Sequence, residues 1–173
     1  MIRIVLFAAL AALAGPTEAL AKPGAAPPPA IKRTVDPAAK IPIAASVTVP
    51  AGMDLVFVSG MLPAVVNEAA PAGSIEAYGP DTKTHAVSVL ARVKAALAAE
   101  GLTFADVTTA RVFLIGDPKL NGRMDFAGFN EAFKTEFGTE AQPNRPARTV
   151  IQVVALPAPG ALVEMDVIAA KSK

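Results

Sequence analysis

The sequence contains no cysteine and no tryptophan, a single tyrosine (Tyr78) and a single histidine (His85). Without cysteine there is no thiol nucleophile, no thiolate metal site and no disulfide. With one histidine, a zinc site would need carboxylates for nearly all its ligands, and no such cluster is visible. An excess of one charge is lacking too: 16 basic residues face 15 acidic ones, for a formal net charge of +1. No run of about five basic residues occurs that would track a phosphate backbone. Aromatics interleaved with basic residues, which stack bases, are missing as well. Nucleic acid is therefore not an expected partner. Glycine-rich phosphate loops, nucleophile elbows and HExxH motifs are all absent. What the chain does have is apolar residues, 53% of 173. That suffices for one domain with a packed core.

Residues 1–21 read as a secretory signal peptide. Arg3 supplies the positive charge, an apolar run follows, Gly15-Pro16 breaks it, and Ala19-Leu20-Ala21 offers the small-x-small pattern of a cleavage site. A membrane span needs about 20 apolar residues, and this run has about half that. The expected location is periplasmic or secreted, with no membrane attachment after cleavage. Residues 22–42 hold Pro23, Pro27, Pro28, Pro29, Pro37 and Pro42. Consecutive prolines favour an extended polyproline tether, or alternatively a proline-motif ligand. The domain is then residues 43–173.

Within it, Ser46-Val47-Thr48-Val49 alternates as a strand does, Pro50-Ala51-Gly52 supplies a turn, and Leu55-Val56-Phe57-Val58 is a second short strand. Together they predict a β-hairpin ending in a tight loop at Ser59-Gly60-Met61-Leu62-Pro63. Asp81 can cap a helix over residues 82–100, with Ala86, Leu90, Val93 and Leu97 at helical spacing and Gly101 as its stop. A β-branched strand is expected over 107–115. A second helix over 125–137 places Phe126, Phe129, Phe133 and Phe137 on one face. Strands over 149–155 and 162–170 follow, joined by a turn at Pro157 and Pro159-Gly160, so they are expected side by side. The fold class is α+β: a two-layer sandwich with one mixed sheet of about six strands on two helices. One helical layer leaves the other sheet face uncovered, which points to a closed homo-oligomer.

Two charged residues lie where the pattern predicts burial: Arg148 at the start of an apolar strand, and Glu164 within Leu162-Val163-Glu164-Met165. A guanidinium fork suits a small carboxylate, and a carboxyl group in partly apolar surroundings can relay a proton near neutral pH. Together they would bind a small acid and activate a water, or simply pair as a buried ion bridge. Asn130 interrupts the phenylalanine face, either to reach a ligand or to cap neighbouring backbone. Ser59-Gly60 allows close backbone approach, or is only a turn. His85 reads as a surface or boundary residue with no role.

Several segments carry a resemblance. Phe57-Val58-Ser59-Gly60-Met61-Leu62-Pro63, Ala99-Glu100-Gly101-Leu102 with Asp106-Val107, and Val112-Phe113-Leu114 with Asp125-Phe126-Ala127 and Asn130 come first. Pro146-Ala147-Arg148-Thr149, Leu156-Pro157 and Val163-Glu164-Met165-Asp166-Val167-Ile168-Ala169 complete the set. In order and spacing they resemble the RidA (YjgF-like) family across residues 43–170. The resemblance implies a chorismate-mutase-like fold, a homotrimer with clefts between subunits, and hydrolysis of reactive enamines and imines such as 2-aminoacrylate and 2-iminopropanoate to 2-keto acids and ammonia. It implies that Arg148 grips the substrate carboxylate and that Glu164 activates water. Ser59, Gly60 and Val150 would offer contacts to the substrate, and Asn130 would line the cleft. No metal or organic cofactor is implied. The chain departs from the pattern at Ser46, where an aromatic is usual, at Val150, where cysteine is frequent, and in a longer loop over 116–124. The alternative function is a non-catalytic binding protein for small carboxylic or keto acids in the periplasm.

Overall fold

The computed structural model describes residues 30–172. The signal-like segment at 1–21 and the start of the proline-rich stretch lie outside the described residues. A central strand, β4 (Val107–Asp117), organises the sheet. It runs antiparallel to β7 (Val163–Ser172), which pairs on its far side with β3 (Met53–Met61). β6 (Ala147–Val153) lies parallel to β4, and the short β5 (Arg123–Met124) pairs with the end of β4. Thus β3 and β6 are opposite edges of a five-stranded mixed sheet.

Helix α1 (Thr82–Ala99) begins where Asp81 accepts a hydrogen bond from the Thr84 N–H at 2.8 Å, satisfying a free donor of the first turn. It ends against Gly101, whose φ of 70° is cheap only for glycine. Its buried stripe, Ala86, Val89, Leu90, Val93 and Leu97, packs on Ala110, Val112 and Leu114 of β4 and on Val163, Met165 and Val167 of β7 in one core. Helix α2 (Phe126–Phe133) is shorter than the sequence predicts. The Thr135 hydroxyl donates to the Ala132 carbonyl at 2.8 Å and competes for the helix's last acceptors. The phenylalanine face nevertheless continues, because Phe137 stacks on Phe133 at 4.4 Å.

Four expectations are corrected. Ser46–Thr48 (β2) does not form a hairpin with β3; it pairs antiparallel with Lys32–Thr34 (β1), as a separate two-stranded ribbon. Strand β3 carries Val58 into the core and so belongs on the main sheet beside β7. The second half of the expected tether is therefore structured. The Arg33 guanidinium fastens it by donating to the Ala105 and Val107 carbonyls at 2.8 and 3.1 Å. β6 and β7 are not neighbours, because β4 lies between them; the parallel β4–β6 pair is reached through α2, as a parallel crossover requires. Finally, His85 is fully buried. The Leu162 N–H donates to its Nδ1 at 3.0 Å, and its Nε2 faces the Gly79 carbonyl at 3.2 Å. These partners suit only the neutral ring protonated on Nε2.

Burial pushes the His85 pKa below 6.5, while its hydrogen bond to Gly79 works in the other direction. The unfolded chain therefore takes up the proton first, and stability falls as pH drops below about 6.5, where an unfolded histidine titrates. Thermal melts between pH 7.5 and 5.5 should show this loss. A His85→Gln variant should be less stable at pH 7.5 yet show a flatter dependence across that window. An unaltered slope would assign the loss to another group.

Candidate active site

Arg148 occupies the second position of the edge strand β6, opposite Ala110 of β4. Ala110 faces the helices, so Arg148 does too. Its guanidinium carbon lies over three rings of α2: Phe133 at 4.3 Å, Phe129 at 5.4 Å and Phe126 at 5.8 Å from their centroids. Such contacts suit a cation that has shed part of its water. Its Nη2 donates to the buried Asn130 Oδ1 at 2.8 Å, whereas Nη1 is buried without an acceptor. Burial pushes the pKa down to about 10, which leaves the group charged at neutral pH. An uncompensated N–H costs about 1–3 kcal/mol, and an anionic acceptor is the group that would relieve it. Val150, two residues along, faces the same way and packs on the core.

Glu164 lies opposite Phe113 of β4, three residues from the position that pairs with Arg148. An odd step along a strand changes face, so Glu164 projects from the side away from the helices. Ser59 and Gly60 are there as well. They sit inside β3, not in a loop after it, at a bulge where the register against β7 shifts between Val58 and Met61. A Cβ on Gly60 would land on the Glu164 carboxylate, so glycine is what leaves that side chain room. Next to it, Asp166 pairs across strands with Arg111 at 2.8 Å.

The six residues singled out from sequence thus form two groups on opposite faces of one protomer. Arg148, Asn130 and Val150 line the β6 edge; Ser59, Gly60 and Glu164 share the outer face of β3 and β7. Arg148 and Glu164 do not pair as an ion bridge, and in one protomer they do not meet. The sequence reading placed these phenylalanines on one helix face but did not connect them with Arg148; their spacing on α2 was the available signal. Among the described residues, no group of three or more histidine, aspartate or glutamate residues is placed to hold a metal ion.

Two helices on one face of a mixed sheet, with a desolvated arginine at its edge strand, define an α+β protomer suited to small anions. A sequence model of the family described as Endoribonuclease L-PSP matches residues 37–171. Protein DfrA of Myxococcus xanthus is 37% identical over 128 residues, covering 74% of this chain and 84% of that protein. The Escherichia coli K12 protein TdcF, provisionally named a reactive intermediate deaminase, is 36% identical over 124 residues, covering 70% of this chain and 84% of the relative. The crystal structure of E. coli TdcF with bound serine matches with a TM-score of 0.53 at 33% identity, over 72% of this chain and 85% of TdcF. The chain belongs to the YjgF/RidA family, with which reactive-intermediate deaminase activity is associated.

If Arg148 is retained for binding and not for stability, Arg148→Met should leave the melting temperature unchanged or raise it, because replacing a desolvated charge by an apolar chain is often neutral or stabilising. Asn130→Leu should instead lower stability by roughly 1–3 kcal/mol, having removed the guanidinium's acceptor. A severe loss in Arg148→Met, measured by thermal or chemical denaturation, would make the arginine a structural residue.

Proposed function

We propose that the protein hydrolyses reactive 2-imino acids and their enamine tautomers, such as 2-iminopropanoate and 2-aminoacrylate, to 2-keto acids and ammonia. The reaction would take place in clefts between the subunits of a homotrimer. The observation that carries this reading is the Arg148 guanidinium, desolvated among three rings with one N–H lacking an acceptor. That state favours binding of a small carboxylate, whose two oxygens match the guanidinium fork. The serine in the TdcF crystal structure is a small ligand of the same carboxylate class.

Chemistry needs a second group, and Glu164 supplies it only if another protomer brings its outer sheet face to the β6 edge. Leu55 and Phe57 of β3 and Ile151 of β6 are exposed apolar side chains that such contact would cover, Phe57 being 70% exposed. The two contact patches differ, so the interface is head-to-tail and a rotation closes it into a ring. In the cleft, Glu164 accepts a proton from water as its oxygen attacks the imine carbon. The proton then passes to nitrogen to give a carbinolamine, and Glu164 carries the hydroxyl proton to nitrogen as the carbon–nitrogen bond breaks, so that ammonia leaves and the keto group forms. Ser59, Gly60 and the Val150 backbone would border the reacting atoms. With the leader-like residues 1–21, we place this activity outside the cytoplasm.

The test is to generate 2-iminopropanoate in situ and follow pyruvate or ammonia release. Arg148→Ala and Glu164→Gln should each lose most of the catalysed rate. Mixed and reassembled, the two inactive variants should recover about a quarter of wild-type activity, because random ring assembly pairs an intact arginine with an intact glutamate in that share of clefts. Equal rates for wild type and Arg148→Ala would overturn the deaminase reading. Calorimetric keto-acid binding without turnover would make the protein a small-acid binder.

A further inference from the structure

Beside Arg148 the helix-facing side of β6 opens into a concavity of ≈ 460 Å³ lined by Arg123, Met124, Phe126, Val150 and Gln152. Its position relative to the guanidinium follows from the strand. Val150 lies two residues from Arg148 on the same face, a step of about 6.6 Å, and the Phe126 ring borders both the guanidinium and the concavity. A substrate whose carboxylate rests on Arg148 would therefore direct its side chain along Val150 into this space. A methyl group, the side chain of 2-iminopropanoate, fills only a small part of it.

The far wall carries a cation. Arg123 is exposed and, among the described residues, makes no hydrogen bond or ion pair. Its backbone is nevertheless fixed. The Gln152 side chain accepts from the Met124 N–H at 2.8 Å and donates to the Gly122 carbonyl at 2.9 Å, and the Gly122 N–H donates to the Asp117 carbonyl at 3.0 Å. Lys119 and Asp125 border the adjoining hollow and offset one another there, the Lys119 Nζ donating to the Pro80 carbonyl at 2.8 Å. The nearby acidic groups are already engaged: Asp125 accepts from the Gly128 N–H and Asp117 from the Lys119 N–H, both at 2.8 Å. Among the residues that line the concavity Arg123 is the one that carries a charge, held on a pinned hairpin at the far end from Arg148.

We infer that Arg123 binds a second carboxylate at the end of the substrate's side chain, so the preferred substrates are 2-imino dicarboxylates of four or five carbons. This rests on the deaminase reading and specifies its substrate class. A five-carbon diacid spans about 5 Å between its carboxyl carbons, and the long arginine side chain closes the remaining distance. The reaction is balanced as before: 2-iminoglutarate and water give 2-oxoglutarate and ammonia.

An amino-acid oxidase supplies 2-iminopropanoate from alanine and 2-iminoglutarate from glutamate, and the full-length protein is assayed on both. The readout is the ratio of kcat/KM for the dicarboxylate to that for the monocarboxylate. Arg123→Ala should lower this ratio roughly 10- to 100-fold, the range expected for losing a charge-assisted contact, and Arg123→Lys should restore part of it. A ratio the same in Arg123→Ala as in wild type would overturn the inference while leaving the deaminase reading intact. Should wild type turn over neither substrate, the deaminase reading fails, and calorimetry with 2-oxoglutarate and 2-oxobutanoate decides the inference alone. Tighter 2-oxoglutarate binding that Arg123→Ala abolishes would uphold it; equal affinities, or no binding, would overturn it.

Discussion

A guanidinium taken out of water beside three phenyl rings constrains this protein more than any other single contact. Desolvating a charge costs several kcal/mol, and the chain offsets that cost with elements placed for the purpose. The rings come from Phe126, Phe129 and Phe133, spaced three and four residues apart so that all lie on one side of α2. Asn130, adjacent to Phe129, adds its carbonyl oxygen. For these groups to meet Arg148, α2 must pack over the β6 edge, which it does as the crossover between the parallel strands β4 and β6. The crossover helix thus both joins the parallel strands and brings its rings to Arg148. The compensation is incomplete, since Nη1 keeps no acceptor. A buried N–H left short of one hydrogen bond costs stability, and an anionic acceptor is the group that would restore it.

The pleat of the sheet then decides where chemistry can occur. Arg148 pairs with Ala110 and Glu164 with Phe113, an odd separation along β4. No rotamer change brings the two side chains to one face, because the sheet itself stands between them. A catalytic pair formed from these residues must be contributed by two chains. The exposed Leu55, Phe57 and Ile151 all lie on Glu164's face of the sheet, the face the helices leave bare. Any catalytic role for this pair would therefore depend on assembly.

Local features were legible in the sequence. Helix α1 begins at its Asp81 cap and stops near Gly101 as its composition predicts, and β4 follows from a β-branched run. What local pattern could not supply was partner choice. The segments at 46–48 and 53–61 each read as strands, and a turn lay between them. Yet Val58 and Met61 gain more by packing on the core with β7, while β2 finds the chain at 32–34 instead. The adjacency expected of β6 and β7 failed for the same reason: a short connection suggests neighbours, but the parallel crossover had already filled one side of β4. His85 misled because histidine has no strong burial preference of its own, and its partners, Gly79 and the backbone of Leu162, lie in segments brought together only by folding. Of the candidate site, the sequence named six residues but not their division between two faces of the sheet, which depends on strand register.

The departures from the family pattern fall in informative places. Val150 replaces a frequent cysteine, yet its backbone keeps its place two residues from Arg148, so a role that depends on the peptide group survives the loss of the thiol. Ser46 stands where a ring is usual and now belongs to the β1–β2 ribbon. The longer loop after β4 became ordered structure, a hairpin tied by Gln152 to the same edge that carries Arg148. The arginine, its rings and the glycine beneath Glu164 thus stand apart from the departures, which fall in the ribbon, at Val150 and in the 116–124 hairpin. Groups that act on a carboxylate and an imine cannot distinguish one 2-imino acid from another, because every such acid presents those same atoms. For the proposed 2-imino acids, selectivity has to come from the walls beyond them, of which the 123–124 hairpin is one.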